Sequence, residues 1–345
     1  MKFIFKYNLI LYIKEMETII NPIDIIIKDK PTLRPTTIQT YERHLKQLKI
    51  LFDADDFDFL KEPDIVIDKI KTTKNKDGKE IERPYLQQRN LLNAIIVVLR
   101  ALNSDESLTD IIDKYVIVRD KYNQDYKDIQ KTGIISDKQK PNQTTTEEIY
   151  EMIEKMRTEL LTVISKDYTK KQFALFQAYT FFNIYVRLPL RNDISGMRLI
   201  KSSDFKKLKA EDKVEKNYLV YNKSKFSFVL NDYKTIKIYG EQTTPVEDKE
   251  LRRILRLYIN INWNKDNEFL FTSSTGKMIS RNDLSKILIK YSKKYMNGKS
   301  VSTVMLRKAY MDKYKPIKEE MEKDSKILGH NVSTTGMSVY VKNSE

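Results

Sequence analysis

The sequence predicts a mainly α-helical chain with a small antiparallel β-sheet, divided into an all-helical first domain and an α+β second domain. Three observations predict this. Long segments on both sides of residue 140 place apolar residues three and four apart, the period of a helix with one buried face. A single region, 217–239, carries short alternating runs around an Asn231-Asp232 turn, as a few paired strands would. Between the two helical regions lies a polar stretch, 131–146, containing Gly133 and Pro141.

The elements follow in order. Residues 1–30 read as an N-terminal extension, and 31–130 as a helical domain. Pro31 to Thr37 leads into a helix with a Thr as N-cap and with Ile38, Tyr41, Leu45, Leu48 and Phe52 on one face. Its opposite face carries Arg43, His44, Lys46 and Lys49, with His44 read as a surface residue. A shorter helix is expected from Pro63 to Ile70, then a charged loop from Lys71 to Arg83 around Asp77-Gly78. The most apolar helix spans Tyr85 to Asn103, with Leu91, Ile95, Val98, Leu99 and Leu102 facing a core, and a fourth helix covers about 108–130. Residues 131–146 form the linker, ending in Thr145-Thr146-Glu147-Glu148, a capping-box start for the next helix.

The second domain, 147–345, opens with helices over about 146–165 and 170–186. In the latter, Phe173, Phe176, Tyr179, Phe181, Phe182 and Tyr185 form a stripe read as core rather than as a base-stacking surface. Leu188-Pro189 ends that helix. Strands are expected at Asn217–Tyr221, Lys225–Leu230 and Thr235–Tyr239, and helices at about 247–259, 282–295 and 302–314, with a last helical stretch toward Tyr340.

Composition narrows the function. Lys and Arg number 63 against 48 Asp and Glu, a net charge of +15, and the pI is near 9.4. Such a surface suits a polyanionic partner, because Lys and Arg replace the counterions condensed on phosphate. The absence of Cys excludes disulfides and Cys-ligated metal, and two histidines, His44 and His330, exclude a His-rich metal centre. The apolar run Phe3–Ile13 is too short to span a bilayer and lacks a small-residue cleavage site, and Met16 offers an alternative start. A soluble intracellular protein without a membrane partner is expected.

Near the C-terminus, Leu328-Gly329-His330 is followed ten positions on by Tyr340. Upstream, Leu190-Arg191-Asn192-Asp193-Ile194-Ser195-Gly196-Met197 and Met305-Leu306-Arg307-Lys308 supply arginines, and Lys234 follows the Asn231-Asp232 turn. In this order the set resembles the tyrosine recombinases, the phage-integrase family. The resemblance implies an N-terminal helical core-binding domain and an integrase-like catalytic domain that together clamp duplex DNA. It implies Arg191, Lys234, Arg307, His330 and Tyr340 as catalytic residues, with Asp193 as a supporting acid one place earlier than usual. Lys223, Lys225 and Lys237 remain alternatives for the hairpin lysine, and Arg191 could instead pair with Asp193. Candidate DNA contacts are Arg43, Lys46, Lys286 and Lys290, the last two within a lysine run that also reads as a solvated face.

The chemistry explains these residue types. A phenol oxygen attacking a phosphodiester adds charge to the phosphoryl oxygens, which two guanidiniums meet with planar paired hydrogen bonds and a permanent charge. One such clamp is worth roughly 3–4 kcal/mol of barrier. The leaving 5′-oxygen needs a proton donor, which a lysine supplies. The resemblance implies no cofactor or metal, double-stranded DNA as partner and a homo-oligomer, a tetramer, on DNA. It also implies a viral or mobile-element integrase located wherever its target DNA is, in cytoplasm, nucleus or viral factory. Type IB topoisomerases share the chemistry, and a cleavage-silent DNA-binding protein would share the fold. Two positions depart from the pattern: Val304 stands where relatives carry His three residues before the second arginine, and only five residues follow Tyr340.

Overall fold

The computed structural model describes residues 21–103, 106–131, 137, 139–162, 169–261 and 268–328. His330 and Tyr340 lie outside the described residues. The chain falls into two compact units, within Met1–Ile134 and Ile135–Glu345, divided inside the stretch read as a linker.

The first unit starts earlier than the composition suggested. Asn21 caps α1 (Pro22–Asp29), its side chain accepting from the Ile23 amide at 3.1 Å, and Pro22 occupies the first turn, where its missing N–H costs nothing. Ile26 is fully buried, so this part of the expected extension belongs to the core. Helix α2 (Pro35–Phe52) begins before Thr37, with Arg34 rather than a threonine at the N-cap. It ends at Asp53, whose φ of 50° is a left-handed conformation that Asp tolerates. After α3 (Pro63–Lys69), the expected charged loop is a β-hairpin, β1 (Thr72–Lys74) against β2 (Glu80–Glu82). Its turn is held by the Asn75 side chain, which accepts from the Asp77 and Lys79 amides, and Gly78 supplies a φ of 76°. The hairpin is anchored by buried Arg83, whose guanidinium donates to the carbonyls of Ile70 (2.9 Å) and Thr72 (3.0 Å). Helices α4 (Tyr85–Leu102) and α5 (Thr109–Lys131) complete the unit. Apolar α4 lies at its centre, against α1, α2 and α5.

His44 corrects a second expectation. It is buried beside Leu45 and Leu48, not on the surface. Neither ring nitrogen reaches hydrogen-bonding geometry with a neighbour, although Gln47 lies alongside. Burial, reinforced by the charge of Arg43, pushes its pKa below the ordinary 6.5.

The second unit is built around α7 (Lys170–Arg187), which α6 (Thr146–Leu161) and the three later helices α8 (Lys249–Ile261), α9 (Arg281–Tyr295) and α10 (Thr303–Asp312) all touch. Capping boxes at Thr145/Glu148 and Thr169/Gln172 start α6 and α7. Every residue from Leu175 to Val186 is buried, as a helix covered on all sides requires, and the six aromatic residues of the stripe are core. Truncating one of the fully enclosed rings, Phe181 or Phe182, costs about 3–5 kcal/mol. Helix α11 (Lys315–Leu328) follows α10 and is mostly exposed. Among the described residues no helix is long and apolar enough to cross a membrane.

The sheet of this unit runs β3 (Arg198–Lys201), β4 (Tyr218–Tyr221), β5 (Phe226–Leu230) and β6 (Gln242–Pro245), in that spatial order. It is mixed rather than antiparallel, because β3 and β4 run parallel. Residues 202–217, with one-turn helices at Ser202–Phe205 and Ala210–Lys213, return the chain to the same end of the sheet, as a parallel pair demands. The strand expected at Thr235–Tyr239 is a helical turn, Ile236–Tyr239, closed by Gly240 at φ 64° and ψ −158°, where only glycine sits without strain. The chain then pairs as β6.

His44 makes the first unit sensitive to acid. Below about pH 6.5 the unfolded chain takes up a proton that the buried ring resists, so stability declines as pH falls through that window. His44→Leu removes this component. The unfolding free energy of wild type minus that of the variant, measured by denaturant titration from about pH 7.5 to 5, decreases as acid is added. A difference constant with pH would contradict this reading of the ring.

Candidate active site

The segment after α7 cannot continue as helix because Pro189 forces Leu188 into an extended conformation. Arg191 is extended as well, at φ −86° and ψ 178°, and caps a 3-10 turn, Asn192–Ile194. The backbone then drops Asp193, Ile194 and Ser195 into the protein while the Arg191 side chain stays exposed. This short segment is gripped from several elements. The Tyr185 hydroxyl lies 3.3 Å from the Arg191 carbonyl and 3.4 Å from Asn192 Oδ1. Burial pushes the Tyr185 pKa up, so the phenol stays protonated and able to donate. Asn192 Nδ2 donates to Ser285 Oγ of α9 at 3.0 Å, and Thr303 Oγ1, the first residue of α10, donates to Asn192 Oδ1. One helical turn further along α10, Arg307 Nε donates to the Pro189 carbonyl at 3.1 Å.

Two arginines 116 positions apart in the sequence are thereby carried by segments in direct contact. Among the described residues neither Arg191 nor Arg307 forms a salt bridge. Asp193 is paired with Arg281, at the start of α9, at 2.8 Å. The alternative in which Arg191 serves Asp193 is thus replaced by a different partner. Val304, three residues before Arg307, is 60% exposed.

Lys234 is exposed on the connection between β5 and β6. That connection is tied to the Arg191 segment by buried Asn217, just ahead of β4. Asn217 Nδ2 donates to the carbonyls of Asp193 (3.0 Å) and Asp232 (2.8 Å), and its Oδ1 accepts from the amides of Asn231 and Asp232, both at 2.8 Å. Arg281 adds a second tie, reaching Asp232 at 3.6 Å as well as Asp193. The tight hairpin tip lies elsewhere, at Asn222–Lys225 between β4 and β5, and carries Lys223 and Lys225. It sits at the Tyr221 end of β4, three residues or about 10 Å from the Tyr218 end, where the Arg191 segment enters the sheet through Arg198. Lys237 is exposed on the helical turn.

Of the candidate DNA contacts, Arg43, Lys46, Lys286 and Lys290 are all exposed. Lys46 pairs with Glu42 at 2.8 Å, Lys286 lies 4.0 Å from Asp283, and the Lys290 ammonium sits 5.4 Å from the centre of the Tyr291 ring. Arg43 and Lys46, with Gln39, Glu42, Gln47 and Ile50, line an open depression of about 520 Å³ along α2. Asn192, Asn217 and Arg281 had no role assigned from sequence. The one available signal was Asn217, an amide at the edge of a strand, where Asn is disfavoured unless its side chain is employed.

No protein-family model and no curated protein matches the sequence. Among solved structures, the chain is similar to the crystal structure of XerA recombinase, with 12% identity and a TM-score of 0.35 over 93% of this chain and 94% of that one. It is also similar to XerH site-specific recombinase bound to difH substrate in a pre-cleavage complex, with 14% identity and a TM-score of 0.35 over 89% and 77% of the two chains.

Asn217 offers a stability test of the site's frame. Asn217→Ala removes four hydrogen bonds, one to a buried carbonyl and three to partly exposed backbone groups, so at about 1–3 kcal/mol for the buried group and about 1 kcal/mol for the others together the loss of unfolding free energy is about 2–4 kcal/mol. Denaturant titration of the variant measures it, and a loss under about 1 kcal/mol would show that water replaces the side chain without penalty.

Proposed function

We propose that the chain is a tyrosine recombinase that cleaves and rejoins double-stranded DNA. The observation that carries the reading is the contact between the Arg191 segment and α10, which presents two guanidiniums unpaired with carboxylates among the described residues. Two guanidiniums without a carboxylate partner among the described residues, carried on touching segments, suit an anionic ligand. The strong positive charge of the whole chain suits DNA in particular.

In this mechanism Arg191 and Arg307 hold the non-bridging oxygens of the scissile phosphate. Tyr340 Oη attacks phosphorus, its proton passing to a base for which His330 is the candidate. The P–O5′ bond breaks as the phosphotyrosyl bond forms, leaving the chain linked to the 3′ end, and the departing 5′-oxygen receives a proton from a lysine. Attack by a 5′-hydroxyl of another strand reverses these steps and frees the tyrosine. Bond energy is conserved in the ester, so no nucleotide hydrolysis is needed. Lys234 is the proton donor favoured by its place beside the Arg191 segment, while Lys223 and Lys225 meet the criterion of a hairpin tip. Asp193, through Arg281, supports the segment rather than the phosphate. A homo-oligomer on DNA would bring the exchanging strands together, with Arg43, Lys46, Lys286 and Lys290 meeting backbone phosphates.

A second reading, a DNA-binding protein that does not cleave, is favoured by Val304. An exposed valine one turn from Arg307 can neither transfer a proton nor bind phosphate.

A nicked suicide duplex separates the two, because release of a short 5′-hydroxyl strand traps the covalent adduct. Wild type forms the adduct and Tyr340→Phe does not, while DNA affinity stays within about threefold. Lys→Ala variants at 223, 225 and 234 identify the proton donor: a 5′-bridging sulfur, a leaving group needing no proton, restores cleavage to that variant alone. Adduct formation by Tyr340→Phe, or none by wild type on any duplex, would overturn the recombinase reading. Relaxation of a supercoiled plasmid without a partner site would redirect it to a topoisomerase.

A further inference from the structure

We infer that Asn192 and Thr303 form a positioning pair that fixes the spacing between the two arginines, an inference that rests on the recombinase reading. Thr303 and Arg307 are four residues apart, so they share one face of α10. That face meets the Arg191 segment twice, through Thr303 to Asn192 and through Arg307 to Pro189. Two bonds one helical turn apart remove the freedom of α10 to slide or roll against the segment, which a single bond would leave. The Arg307 contact uses Nε, and among the described residues no bond to its terminal nitrogens competes with a ligand while the side chain is held. Asn192 extends the fixation to two further helices, since Nδ2 reaches Ser285 of α9 and Oδ1 lies near the Tyr185 hydroxyl of α7.

The choice of amide is specific. Oδ1 accepts from Thr303 while Nδ2 donates to Ser285, and no other side chain of similar size offers an acceptor and a donor of this kind. Asp in its place would lose the donor and add a negative charge beside two cations meant for phosphate. Thr303 needs only its hydroxyl for the bond. Neither residue touches the substrate in this account, and both act through the guanidiniums.

Single-turnover cleavage of the suicide duplex at saturating DNA tests this. Asn192→Ala and Thr303→Val each lower the cleavage rate about 10- to 100-fold, the scale of a small misplacement of catalytic groups, while DNA affinity changes less than about threefold. Thr303→Ser, which keeps the hydroxyl, restores the rate to within about threefold of wild type. The double variant Asn192→Ala/Thr303→Val is no slower than Asn192→Ala alone, because the bond that Thr303→Val removes is already lost there. Should Asn192→Ala fail to fold, the Thr303→Val and Thr303→Ser pair decides alone. If both Thr303 variants cleave at the wild-type rate, or slow in proportion to lost affinity, the positioning role is wrong while the recombinase reading stands. If wild type itself forms no adduct, the reading beneath it has failed.

Discussion

The second unit depends on how a short irregular segment is held. Residues 189–191 belong to no helix or strand and lead into the short 3-10 turn Asn192–Ile194, so their geometry comes from bonds supplied by α7, α9 and α10. Each bond contributes modestly, about 1 kcal/mol net. Their effect is geometric, because hydrogen bonds from three helices leave the segment little room to move. The helices are themselves fixed by a shared core around α7, so the rigidity of the aromatic core is passed to exposed Arg191 and half-buried Arg307. That division places Arg191 on a short connection and Arg307 on a helix, with both drawing their position from the core beneath.

Charge is distributed to the same end. Asp193 is buried against Arg281, and this pair occupies the acid that stands closest in sequence to Arg191. Other arginines of the unit are neutralised locally, Arg187 by Asp248 at 3.0 Å and Arg253 by Glu250 at 2.9 Å. Among the described residues Arg191 and Arg307 have no salt bridge, as is also true of Arg252, Arg256 and the structural Arg83, so their place on touching segments is what sets them apart. Guanidiniums that need not exchange one anion for another bind phosphate at lower cost.

Much of the helical architecture was legible because it follows from local period. The aromatic stripe of α7, the capping box at Thr145 and the apolar face of α4 all came from spacing alone. His44 was legible too, since it lies three residues after Tyr41 and one before Leu45, on the edge of the apolar face, but its polar character suggested surface. Asn21-Pro22 carried a cap signal for α1 that the neighbouring apolar run obscured. The helical turn Ile236–Tyr239 was misread because alternating Ile and Lys mimic a strand, and β3 was missed because four residues show no clear period. The parallel pairing of β3 with β4 and the clasp between Asn192 and Thr303 join residues distant along the chain, which no local pattern encodes. The two arginines were proposed from their neighbours in sequence, but the contact of Arg307 with Pro189 could not be read there.

The central claim is that the guanidiniums of Arg191 and Arg307 act on one phosphate. A suicide duplex carrying a methylphosphonate at the scissile position, which lacks one charged oxygen, tests it directly. If the two arginines neutralise that phosphate, Arg191→Ala and Arg307→Ala lose cleavage of the normal duplex by at least about 100-fold and recover most of it on the neutral one. Variants that stay equally impaired on both substrates would contradict the account.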